Sequence, residues 1–119
     1  MPYVRILWKP DLLAEDRLLR LRDALPTIVA EALSRFDPQN IVTGEMVDLR
    51  IEQIGPLDLV HPDMLITIFA RREPARHQSR DLITELITNG IVSVGCPANT
   101  MVELVLTDRT STYRYPGDA

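Results

Sequence analysis

The sequence predicts an α/β (α+β) fold in which two β-α-β units share one four-stranded mixed sheet, with both helices on one face. Three observations carry that expectation. Two helix-length stretches show apolar residues at three- and four-residue steps. Each stretch is flanked on both sides by short segments rich in β-branched and apolar residues. Proline- and glycine-containing turns separate the segments.

The elements follow in order. Tyr3 to Trp8 is rich in β-branched and aromatic residues and is stopped by Lys9-Pro10-Asp11, so it reads as a strand. Leu18, Leu21, Leu25, Ile28, Val29 and Ala32 then form one helical stripe. Asp11, Glu15 and Asp16 stand near its start, where negative charge favours the helix dipole. Pro26 lies inside this stripe and is expected to kink or divide the helix. Asp37-Pro38 and Thr43-Gly44 mark a loop. From Glu45 to Ile54 the period changes to two: Val47, Leu49 and Ile51 alternate with Asp48, Arg50 and Glu52. Met64 to Ala70 is a nearly continuous apolar strand of the buried kind. A second helix is expected from about Pro74 to Asn89, with Ser79, Leu82, Ile83, Leu86 and Ile87 inward and Asn89-Gly90 as its C-terminal cap. Met101 to Thr107 is the last long strand, and Ser111 to Tyr115 a short addition.

The expected organisation is one domain over residues 1–119: a first unit at about 2–54, a second at about 63–107, and a tail at 108–119. Parallel strands joined by a helix take right-handed crossovers, which places both helices on the same face. The opposite face then carries Arg5, Asp48, Arg50, Glu52 and Glu103 among Tyr3, Leu7 and Val105, a mixture suited either to solvent or to another copy.

Composition narrows the function classes. The 119 residues are 45% hydrophobic and 25% charged, the mixture of a soluble globular chain. A net charge of −4 supplies no basic footprint for nucleic acid. Apolar runs stop well short of the ~20 residues that a membrane span needs, and Arg5 and Lys9 interrupt the N-terminus too early for a secretory leader. A single cysteine, Cys96, permits no intrachain disulfide, so a cytoplasmic location is expected. His61 and His77 lack ligand spacing to each other or to Cys96, so no metal is expected. No phosphate loop or dinucleotide fingerprint is present, and no cofactor is expected.

Pro2 is the residue best suited to chemistry. Removal of Met1 would expose a secondary α-amine, a class that titrates near ~7.7–8 in the open. An apolar pocket or an adjacent arginine penalises the charged form and leaves a neutral base near physiological pH.

A proline at position 2, a strand directly behind it and a doubled β-α-β pattern together resemble the tautomerase superfamily, the group of 4-oxalocrotonate tautomerase and macrophage migration inhibitory factor. The likeness runs from MPYVRILW to VELVLTDRT. It is clearest in LITIFARREPARHQSRDLITELI, which is similar to the family's strand, Gly-Arg-Ser turn and helix, with Ala70-Arg71 standing where Gly-Arg usually does. The ending DRTSTYRYPGD resembles a short-chain branch.

The resemblance implies a homotrimer with three sheets around a central barrel, in which Arg50 and Glu52 pair. It implies tautomerase or isomerase chemistry on small 2-keto or 2-hydroxy-unsaturated acids. Pro2 would be the general base and Arg71 the holder of the substrate carboxylate. Lys9, ending the first strand, is the matching cation of the first half, and Tyr113 and Tyr115 are candidates to line a pocket across a subunit boundary. Set against this, Arg71, Arg72 and Glu73 also read as an ordinary solvated turn. The element order equally suits a non-catalytic, ferredoxin-like ligand-binding module. Strand order separates the two folds: the tautomerase-like sheet keeps each unit's two strands adjacent and parallel, whereas a ferredoxin-like sheet inserts a strand of the other half between them.

Overall fold

The computed structural model describes residues 2–108. Its elements are β1 (Tyr3–Trp8), α1 (Glu15–Phe36), a 3₁₀ turn (Gly44–Met46), β2 (Asp48–Gln53), β3 (Met64–Arg71), α2 (Pro74–Gln78), α3 (Arg80–Val94) and β4 (Thr100–Thr107). The short strand expected at Ser111 to Tyr115 lies outside the described residues, as do Tyr113 and Tyr115.

The sheet order is β2-β1-β3-β4. β1 pairs parallel with β2, β3 pairs parallel with β4, and the two units join through an antiparallel β1–β3 seam that sets Tyr3 opposite Phe69 and Trp8 opposite Met64. Each unit keeps its own two strands adjacent. This is the tautomerase-like arrangement, and it rules out the ferredoxin-like one.

Alternation along the strands sorts the side chains onto two faces. Val4, Ile6 and Trp8 of β1 and Met64, Ile66, Ile68 and Ala70 of β3 are buried beneath the helices. Against them pack Leu21, Leu25, Val29 and Leu33 of α1 and Ile83, Ile87 and Ile91 of α3. The other face carries the residues expected there: Arg5 pairs across the strands with Arg50 and Thr67, and Thr67 with Glu103. On it, Arg50 Nε lies 3.1 Å from Glu52 Oε1, and Thr67 Oγ1 donates to Glu103 Oε1 at 2.8 Å.

The second helix departs from expectation in its limits and at Leu82, expected inward but 53% exposed. α1 runs through Pro26 without division. A proline removes one intrahelical hydrogen bond, and here a buried stripe from Leu18 to Leu33 continues across it and holds the helix together. The second helix is broken at Ser79 into α2 and α3, and it ends at Gly95 rather than at Asn89-Gly90. Gly95, at φ +117°, takes a backbone open to glycine and rare for other residues, and its amide closes the helix on the Ile91 carbonyl at 2.9 Å. Gly90 has a different use: a Cβ there would come within 2.7 Å of Ile28 Cγ2, so its absence lets α3 approach α1.

Candidate active site

β1 and β3 run in opposite directions, so the start of one meets the end of the other. Pro2, buried immediately before β1, therefore comes to the same end of the sheet as Arg71, the last residue of β3. Pro2 is fixed through its carbonyl, which accepts a hydrogen bond from the amide of Asp48 at 3.1 Å. The two residues line one cavity of about 190 Å³.

The loop after α1 supplies a second wall, Asn40, Ile41 and Val42, and the 3₁₀ turn adds Met46. Ser34 anchors this loop to α1: its Oγ donates to the Val42 carbonyl at 2.9 Å and accepts from the Val42 amide at 2.8 Å. Asn40 Nδ2 donates to both carboxylate oxygens of Asp37, at 3.1 and 3.0 Å.

The remaining lining residue is Arg76, from α2. Pro74 at the head of α2 pre-sets the helical φ and gives up an amide that needs no partner there. That turn carries Arg76 inward, where its side chain is 5% exposed, as is that of Asp37. Arg76 Nε stands 3.4 Å from Asp37 Oδ2, a meeting of charges whose angle does not make a hydrogen bond. Nη1 donates to the Arg71 carbonyl at 3.1 Å and Nη2 to the Asn40 carbonyl at 3.5 Å. Arg76 thus ties the loop of the first unit to the strand end of the second. Arg71 differs in being 41% exposed at its side chain, with Nε 2.7 Å from Glu73 Oε1, again too bent for a hydrogen bond.

Of the residues singled out from the sequence, Pro2 and Arg71 meet in the cavity. Lys9 does not join them. It lies past the far end of β1, roughly 20 Å away at ~3.3 Å per residue, and pairs with Asp63 at 3.3 Å. Tyr113 lies outside the described residues. Asp37, Asn40 and Arg76 were not singled out. In the sequence Asp37 looks like half of an Asp-Pro turn, and Arg76 is one of four arginines in a ten-residue run. The available signal was Pro74, whose position at a helix start makes Arg76 the third residue of a turn.

A larger cleft of about 370 Å³ lies between α1 and α3, lined in part by Ile28, Leu86 and Gly90. It holds none of these groups. Among the described residues no cluster of metal-ligating side chains occurs, and no helix is long and apolar enough to cross a membrane.

The sheet order, two parallel pairs joined by the antiparallel β1–β3 seam, is that of a tautomerase-like fold. No protein-family model and no curated protein matches the sequence, so the likeness is one of structure. The chain is similar to malonate semialdehyde decarboxylase, with a TM-score of 0.66 at 16% identity over 97% of this chain and 90% of that one. It is similar to N1, a member of the cis-3-chloroacrylic acid dehalogenase family, with a TM-score of 0.65 at 14% identity over 97% and 81%. It is likewise similar to a fused 4-OT asymmetric trimer, with a TM-score of 0.65 at 13% identity over 94% and 91%.

Proposed function

We propose that this chain is a cytoplasmic tautomerase or isomerase of small 2-keto or 2-hydroxy-unsaturated acids, with Pro2 as general base once Met1 is removed. The observation that carries the reading is that Pro2 is buried in the same cavity as Arg71. A secondary amine sheltered from water beside a guanidinium is held in its neutral form, able to take a proton from carbon and return it. Arg71 presents a fork of donors to the acid group of the substrate and to the enolate oxygen formed beside it. Arg76 holds the Arg71 backbone and the Asn40 loop in register, and acts by positioning.

The active form in this reading is a homotrimer built on the open sheet face. Arg5 Nε is buried there without a hydrogen-bond partner among the described residues, although its guanidinium lies 5.9 Å from the Phe69 ring centre. A fused 4-OT of similar fold is an asymmetric trimer.

A second reading, a non-catalytic module that keeps the same fold, is favoured by one contact: Glu73 already neutralises Arg71 at 2.7 Å. The test is enol–keto conversion of phenylpyruvate by untagged protein, with intact mass used to separate Met1-free from Met1-retaining chains. Activity confined to the Met1-free chain supports the amine mechanism. Equal rates, or no activity in either, give precedence to the module.

A further inference from the structure

The donors of the two cavity arginines lead to a statement about the substrate, which rests on the catalytic reading above. We infer that the cavity takes a monocarboxylate bearing an apolar arm and rejects dicarboxylates, with Ile41, Val42 and Met46 setting that preference.

Arg76 offers a ligand no open edge, because its side chain is only 5% exposed. Its Nε faces Asp37, one N–H of Nη1 and one of Nη2 go to the carbonyls of Arg71 and Asn40, and its charge is balanced by a carboxylate as deeply buried as itself. Arg71 is the opposite case. Its ion pair with Glu73 engages Nε, which leaves the edge formed by Nη1 and Nη2 on a side chain that is 41% exposed. One guanidinium edge receives one carboxylate in bidentate fashion. The cavity therefore has one place for an acid group.

The rest of the lining decides what the substrate carries beyond that group. Ile41, Val42 and Met46 present only hydrocarbon and thioether side chains, and Pro2 adds its ring. A second carboxylate in about 190 Å³ would shed water against these side chains with no unspent cation among the described lining residues. An unpaired charge is strongly disfavoured in such a setting, while a methyl group gains by leaving water. Asp37 and Glu73 add like charge at the same end of the sheet. Ile41 and Met46 are 59% and 41% exposed, so they form a rim along which an arm of variable length can lie.

The test compares hexanoate with adipate, acids of equal carbon number that differ in exchanging a terminal methyl for a carboxylate. Binding to the full chain is measured by calorimetry, alongside Arg71→Ala and Met46→Arg. The expected result is hexanoate at least ~10-fold tighter than adipate, hexanoate binding lost in Arg71→Ala, and the preference narrowed or reversed in Met46→Arg. Adipate binding as tightly as hexanoate, or neither acid binding, overturns the inference. Neither acid reacts, so the outcome is independent of Pro2: a Pro2→Ala chain that keeps the hexanoate preference while lacking activity separates this inference from the base assignment.

Discussion

The two ends of the β1–β3 seam are built from the same strands in opposite senses, yet they are chemically unlike. At one end Pro2 and Arg71 border a cavity that Arg76 also lines, and Arg76 pairs there with Asp37, each 5% exposed at the side chain. At the other, Lys9 and Asp63 meet at 3.3 Å with side chains 36% and 29% exposed, and the Lys9 amide donates to the Asp63 carbonyl at 3.1 Å. Both ends hold a cation and a carboxylate. The difference lies in the connections. The cavity end receives the loop after α1 and the extra turn α2, which together shut water away from Asp37 and Arg76. The far end receives the loop from β1 into α1 and the loop from α3 into β4, and its pair stays partly exposed. A chain made of two like units thus carries one candidate site because its two crossovers differ, not because its strands do.

That contrast can be broken most forcefully at Arg76. Arg76→Met leaves Asp37 buried without its cation, and removing one partner of a buried pair costs about 3–5 kcal/mol. The expected outcome is a large drop in the urea midpoint at unchanged slope. Replacing both partners, as in Asp37→Leu with Arg76→Met, should recover much of the loss, which would confirm that the orphaned charge was its source. Lys9→Met gives the smallest effect, below ~1 kcal/mol, because a solvent-screened pair contributes little. A Lys9 effect equal to that of Arg76 would erase the distinction between the two ends.

Periodicity announced the fold. The alternation of Val47, Leu49 and Ile51 with Asp48, Arg50 and Glu52 assigns both faces of β2 before any pairing is known, and the Arg50–Glu52 contact at 3.1 Å lies on the expected face. Strand order was not readable, because the β-α-β-β-α-β order serves two topologies that differ only in long-range pairing. The helix limits failed for a similar reason. Asn89-Gly90 is a local stop signal that tertiary packing overrode, since Ile28 needs the space that Gly90 leaves; at Pro26 the Leu18-to-Leu33 stripe carries α1 on undivided. At the site, Pro2 and Arg71 could be picked out because a terminal proline and a strand-end arginine are unusual in place. Asp37 and Arg76 could not, since their roles depend on a meeting across 39 positions of chain that no local pattern encodes.

The central claim is that the amine of Pro2 moves the proton. It is tested most directly by the phenylpyruvate rate of Met1-free protein against a Pro2→Ala chain of the same processing state and fold. A positioned general base contributes roughly 10²–10⁴-fold, so the account predicts a loss of at least ~100-fold in kcat with the urea midpoint nearly unchanged. An alanine variant as active as the parent contradicts it, and would leave the cavity as a binding site without a base.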